Sequence, residues 1–257
     1  MRGVVVRTTL IVLAHPERGS FCGAWAGASA AAAEAAGDRV LWSDLYAMGF
    51  QPAEGPGRYV EPLSPFDPLK AQERAAGAGR LPADVAAEVE KIRAADRVIF
   101  HFPLWWFAPP AMLKGWCDRA LAHGAVHDVD RRFDTGLLRG KRALLCVTTG
   151  ARASECGPDG KEGETRLLLW PLAYTLRYCG MEVAEPLIVH GVHGYHEGAR
   201  KAELEARLEG VLDGQAAVLA GLGDRPLLPF NADAEFDGEG RLKREAPSHW
   251  PFIRHPG

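Results

Sequence analysis

Three adjacent aromatic residues, Trp105, Trp106 and Phe107, follow Pro103 and Leu104 at the end of the apolar run Val98 to Phe102, which only His101 interrupts. The run reads as a buried strand, and Pro103 is expected to end it because proline cannot donate to a sheet ladder. Three consecutive rings cannot all point into a core, so the triplet suits a flat ring stacked at the carboxyl end of that strand. Two other stretches could meet it there. His15-Pro16-Glu17-Arg18-Gly19-Ser20 combines an arginine, a serine placed to cap a helix and free N–H groups at the helix start, which together suit a phosphate or pyrophosphate. Thr148-Thr149-Gly150-Ala151 adds hydroxyls and a small-residue turn.

The elements that must bring these loops together alternate along the chain. Thr8 to His15 reads as a first strand, the alanine-rich Phe21 to Ala36 as a helix closed by Gly37, and Arg39 to Leu45 as a second strand. Residues 53 to 79 are rich in Pro and Gly, with little periodicity before Pro68, and such an irregular segment is expected to cover a site or a partner. A helix over Pro82 to Ala95 precedes the central strand. Pro109 and Pro110 then open a helix to His123, with Met112, Leu113, Trp116, Ala120 and Leu121 on its apolar face. Lys141 to Val147 reads as a fourth strand, Thr165 to Cys179 as a helix, Val183 to Val189 as a fifth strand and Glu197 to Leu222 as a last helix. Five strands alternating with helices predict an α/β fold: a flavodoxin-like, doubly wound, five-stranded parallel sheet in the order 2-1-3-4-5, with helices on both faces. Residues 1–222 are expected to form that domain, and residues 223–257 an extension packing on it or on a partner.

Composition narrows the function. With 257 residues, 47% hydrophobic and a formal charge of -3, the chain can bury a full core and has no electrostatic case for nucleic acid or an anionic membrane. No apolar run approaches membrane-spanning length, and Met1 to His15 lacks the pattern of a signal peptide. Five cysteines without a Cys-x-x-Cys point to a reducing cytoplasm rather than to disulfides or a zinc ribbon. Neither a G-x-G-x-x-G, a P-loop nor a G-x-S-x-G elbow is present. His190-x-x-His193-x-x-His196 has metal-like spacing but no acidic or Cys partner nearby, so no metal is expected, and His193 is taken as a pocket residue. Cys22 in a first helix turn, His101 in a strand and Trp25, Trp42 and Trp116 are read as packing residues.

A phosphate cradle beside an aromatic wall and an amide-rich loop describes a flavin site. His15-Pro-Glu-Arg-Gly-Ser-Phe21, Ser43-Asp-Leu-Tyr-Ala-Met48, Phe102-Pro-Leu-Trp-Trp-Phe107, Leu113-Lys-Gly-Trp116, Thr148-Thr-Gly150 and Leu169-Trp-Pro171 together resemble the NAD(P)H:quinone oxidoreductase (DT-diaphorase) family, over roughly residues 8 to 212. That resemblance implies a homodimer that binds FAD rather than FMN and passes hydride from NAD(P)H through the flavin to a quinone or related aromatic acceptor. By the same likeness His15, Arg18, Ser20 and Phe21 hold the phosphate and adenosine side. Pro103, Leu104, Trp105, Trp106 and Phe107, with Thr148, Thr149, Gly150 and Ala151, hold the isoalloxazine, and Arg200 is a further contact. Trp106, Phe107, His127, Cys156, Met181 and His193 are the expected substrate-side residues.

The departures from the family pattern are as informative. Where the family carries a Tyr and a His this chain has Cys156 and Glu162, and at two acceptor-pocket tyrosines it has His127 and Val129. Losing such donors weakens oxyanion stabilisation by roughly 3 kcal/mol each if fully used. His127 and Glu162 are therefore expected to act as a substitute acid/base pair. The plain alternative makes Glu162 a solvated loop carboxylate and Cys156 a passive small residue. Two further readings remain open: a specialised reductase of an aromatic or polyketide-like metabolite, and a flavin-binding regulatory subunit with weak catalysis.

Overall fold

In the computed structural model, which describes residues 6–256, the buried runs become the centre of a parallel sheet. Strands β1 (Thr8–Leu13), β2 (Arg39–Asp44), β3 (Arg97–Pro103) and β4 (Arg142–Thr148) are joined by β5 (Glu182–Val183) and β6 (Leu187–Val189). The order is β2-β1-β3-β4-β5, with β6 also on β4, and every pairing is parallel. All six residues of β1 and all seven of β3 are buried, as strands covered on both faces must be.

Helices α1 (Phe21–Ala35), α6 (Gly198–Asp213) and α7 (Gln215–Ala220) cover one face. Helices α3 (Ala83–Ala94), α4 (Ala111–Ala120) and α5 (Thr165–Tyr178) cover the other, with α2 (Pro68–Gly77) beside them in the irregular segment. Ser20 caps α1, its Oγ accepting from Gly23 N (3.3 Å), and Gly37 closes the turn beyond the helix at φ +84°.

Two expectations need correction. The single fifth strand is two short ones: Val183 lies opposite Ala143 and Leu187 opposite Cys146, so three residues, Ala184 to Pro186, face two on β4. This one-residue bulge falls where Pro186 has no N–H to give. The segment after α7 uses the freed edge, Glu185 N donating to Pro226 O (2.8 Å). Pro103 ends its strand as expected, as the last residue, opposite Thr148. The β1 ladder on the other side stops at His101, so nothing there asks for the missing N–H. The last helix breaks at Gly214, which turns Gln215 inward to accept from Trp25 Nε1 (2.8 Å) and donate to Ser29 Oγ (2.7 Å).

The segment after α7 packs on its own chain. Trp250 lies against the core beside α5, and Phe252 stacks on Trp170 at 4.6 Å between ring centroids. On the α1 face, His101 shares a hydrogen bond with Ser29 Oγ through Nε2 (3.0 Å), and complete burial pushes its pKa down to about 3. The folded chain therefore keeps this ring neutral at pH values where the unfolded chain, with the ordinary histidine pKa, binds a proton. Stability should fall as pH drops from about 6.5 towards 3, by up to about 1.4 kcal/mol per pH unit from this group. Thermal melts of the wild type and His101→Gln across that range should differ in slope, and equal slopes would contradict this assignment.

Candidate active site

Three loops leave the carboxyl edge of the sheet on neighbouring strands. In the loop after β1, the amides of Phe21 and Cys22 open α1 with no partner among the described residues. Gly23 is required here: a Cβ at this position would lie 2.0 Å from Arg18 O. The cradle is thus glycine-tight, with Gly19 N held on Glu17 Oε1 (2.8 Å). Arg18 reaches sideways, its guanidinium 5.5 Å from the Trp42 ring and 3.9 Å from Asp44. Phe21 packs at 5.5 Å on Trp25, and His15 touches Trp105 at 5.9 Å, joining this loop to the next.

The loop after β3 is a two-residue turn. Trp105 N donates to Ala108 O (2.9 Å) and Ala108 N to Trp105 O (3.2 Å). Between them Trp106 (φ +51°) and Phe107 (φ +61°) both adopt the left-handed region, as a type I′ turn requires. Leucine-sized or larger side chains reach this region at roughly 1–2 kcal/mol each. The turn presents its rings outward: Trp105 is 42%, Trp106 94% and Phe107 52% exposed. The amides of Trp106 and Phe107 donate to nothing among the described residues. Strain of this kind is characteristic of ligand clamps.

The loop after β4 divides its threonines. Thr148 Oγ1 is turned into the α1 face against Cys22 Sγ (3.3 Å), so its hydroxyl does not serve the pocket as expected. Burial pushes the Cys22 thiol up to about 11, which makes it a packing residue rather than a thiolate. Thr149 Oγ1 donates to Ala151 O (3.0 Å) and lies 3.1 Å from His190 Nδ1. Burial and Arg207 together lower the pKa of His190.

The loops after β3 and β4 border two cavities that share Gly150, and the loop after β1, with His15, Arg18, Ser20 and Phe21, lines neither. One, of about 290 Å³, is walled by Trp106, Phe107, Thr149, Ala151, Cys156 and Glu162. The other, of about 880 Å³, carries Arg152, His190, His193, Arg200 and Arg207. His193 therefore faces the arginine side, not the aromatic side. A third cavity, of about 860 Å³ and mostly apolar, lies beyond Phe107 between α2, α4 and α5, with His127 and Tyr178 in its wall.

His127 and Glu162 line different cavities, with Phe107 and Leu168 as their shared wall, so one chain does not bring them together as an acid/base pair. His127 stands 5.2 Å from the His123 ring and 5.6 Å from Tyr178; burial first, then the neighbouring His123, lowers its pKa. Met181 is displaced further. It is buried in the core and lines a separate cavity under Leu228 and Phe230, because Gly136 and Gly180 pack backbone to backbone and draw this turn inward. Arg152 and Arg207 escaped notice in the sequence, since lone arginines in a loop and a helix carry no local signal. Among the described residues no group of three His, Cys, Asp or Glu side chains is placed to hold a metal ion.

The whole sequence agrees with this geometry. A family model described as a flavodoxin-like fold matches residues 7–212. The chain is 40% identical over 215 residues to NAD(P)H dehydrogenase (quinone) 1 of Rattus norvegicus, covering 81% of this chain and 78% of that one. The chain belongs to the quinone reductase family. It is also 39% identical over 204 residues to the ribosyldihydronicotinamide dehydrogenase (quinone) of Homo sapiens, covering 78% and 88% of the two chains. A crystal structure from Klebsiella pneumoniae matches with a TM-score of 0.82 at 31% identity, over 93% of this chain and 95% of that one.

Replacing Trp106 by Gly relieves one left-handed residue while removing the ring. The unfolding free energy should change by less than about 1 kcal/mol, because relief of strain offsets the entropy of the new glycine. Affinity for a ring ligand should fall by about three- to tenfold, the loss expected when one aromatic stacking partner is removed. Thermal melts and equilibrium binding on the same preparation would check this; a large loss of stability would mean the ring is a core element.

Proposed function

We propose that this protein is an FAD-dependent NAD(P)H oxidoreductase of the quinone-reductase type, working as a homodimer in the cytoplasm. The observation that carries the reading is the Trp106–Phe107 turn, whose rings and free amides face a cavity that continues past Gly150 to Arg200. A flavin fits these residues: the free amides of the loops after β3 and β4 would take the edge of its flat ring, leaving the Trp106–Phe107 wall to the substrate, and its anionic tail would run towards the α1 start and the arginines. A bound flavin would supply reversible hydride acceptance, which no side chain of this site can provide.

The chain's own part is binding, orientation and electrostatics. Phe107 and Trp106 form the wall on which nicotinamide and acceptor would stack in turn. Free N–H groups of Trp106, Phe107, Gly150 and Ala151 are placed to hold carbonyl oxygens or developing negative charge without reorganisation. Phe21 and Cys22 amides, in a loop whose Arg18 carbonyl packs closely on Gly23, would hold phosphate. FAD is favoured over FMN because the arginine-bearing cavity gives an adenosine half a place to go. The homodimer reading draws on the apolar cavity between α2, α4 and α5 and on exposed Leu69 and Phe107 at its mouth. Five free cysteines, four of them buried, suit a reducing compartment.

The deciding experiment is the anaerobic visible spectrum of the FAD-reconstituted protein before and after NADPH. A flavin band that bleaches and returns on addition of a quinone is expected. A bound flavin that stays oxidised with NADH and NADPH alike would place the protein among flavin-binding regulatory subunits. Failure to take up any flavin would overturn the reading. Arg200→Ala should weaken FAD binding by about tenfold, the scale of one charge-assisted contact, while leaving FMN affinity unchanged.

A further inference from the structure

Two carboxylates of the loop between β4 and α5 meet opposite fates. Glu155 takes both cations of the loop, lying 3.0 Å from Lys161 Nζ and 3.6 Å from Arg152 Nε, and it also accepts from Arg152 N (3.1 Å). Arg166, at the start of α5, pairs with Glu185. Glu162 donates its backbone N–H to Glu155 O (2.9 Å), yet its carboxylate has no hydrogen bond or ion pair among the described residues. It is half-buried and lines the same cavity as Trp106 and Phe107, and no Lys, Arg or His lines that cavity with it.

An unpaired carboxylate on an aromatic slot has a definite preference. The faces of Trp and Phe carry negative electrostatic potential, so they attract a cation placed over them. A carboxylate at the edge of the same slot acts in the same direction, and partial burial strengthens it relative to water. An anionic ring would meet repulsion from both, and a neutral ring would gain only stacking. A nicotinamide that has given up a hydride with its electron pair is a pyridinium cation, whereas a cationic acceptor ring that takes one up becomes neutral. Both are species that a reductase of this kind would handle.

We propose that Glu162 makes this cavity selective for rings bearing positive charge, namely cationic aromatic acceptors and the pyridinium form of spent nicotinamide. This rests on the reductase reading above, and it names the charge class of the substrate for that site. Glu162 then acts as a specificity residue, with Arg152 and Lys161 kept off it by Glu155.

The test is equilibrium binding to the oxidised, FAD-loaded protein at low salt, followed by flavin absorbance and tryptophan fluorescence. The probes are N-methylquinolinium as cation, 2-naphthoate as anion and naphthalene-2-carboxamide as neutral ring, all of similar size. The cation should bind roughly tenfold tighter than the anion or more, as one favourable charge contact in a partly buried site implies. Raising ionic strength should shrink that ratio. Glu162→Gln, which keeps the shape of the side chain, should cut the ratio severalfold, to what the ring faces alone give, while naphthalene-2-carboxamide binds as before. Equal affinities in the wild type, or an undiminished ratio in Glu162→Gln, would overturn the inference and leave the reductase reading in place if NADPH still bleaches the flavin. A protein that takes up no flavin would overturn both together.

Discussion

Everything proposed for this protein depends on one turn held against its own preference. Trp106 and Phe107 occupy left-handed backbone that glycine or asparagine would adopt more cheaply. What holds them is on either side. Upstream, Pro103 is locked into the sheet opposite Thr148, and Leu104 N donates to Thr148 O (2.8 Å). Downstream, Pro109 and Pro110 have fixed φ values and lead directly into α4, whose Leu113 and Trp116 are buried. With both ends fixed, the reciprocal bonds of Trp105 and Ala108 close the turn in which the two central residues take their left-handed conformation. The result is a rigid display of rings and free amides, which a flexible loop would present only at an entropic cost on binding.

The scaffold beneath the turn is positioned by buried polar contacts as well as by apolar packing. On the α1 face, Arg97 bonds Asp38 (2.6 Å), Thr9 Oγ1 (2.7 Å) and Leu219 O (3.0 Å), tying β3 to β1, to the start of β2 and to α7. On the opposite face the buried Glu88 accepts from Ser43 Oγ (2.6 Å), Trp116 Nε1 (2.7 Å) and Lys91 Nζ (2.6 Å). Hydrophobic contact is non-directional and tolerates sliding, whereas a satisfied buried hydrogen bond has one geometry. Each helical layer therefore has a fixed register on the sheet, and the loops at the carboxyl edge inherit it. The segment after α7 adds an edge contact at Glu185 and an aromatic stack on Trp170, so it braces α5 and, through α5, the cavity behind Phe107.

The fold was legible because its signals are local. Period and composition mark the strands and helices, Ser20 and Gly37 mark the ends of α1, and the alternation of the two types implies a parallel sheet. The misplaced boundaries have causes distant in the chain. The stretch Val183 to Val189, interrupted by Glu185 and Pro186, cannot by itself disclose a bulge that depends on register against β4. Nor can the continuous periodicity after Glu197 disclose that Gly214 turns the chain to satisfy Trp25 and Ser29.

The candidate site was legible only as a set of types. Residue order alone determined that rings, a phosphate-suited helix start and a threonine–glycine turn lie at strand ends, because strand ends are written in the chain. Which of them share a cavity was decided by tertiary structure. Thr148 belongs to Cys22, His193 to the arginine side, His127 to the apolar cavity and Met181 to the core, while Glu162 is left facing the aromatic rings. The physical reason is that a side chain's direction follows from strand register, turn handedness and the nearest partner for its polar atoms. Those partners come from segments tens of residues away in the chain.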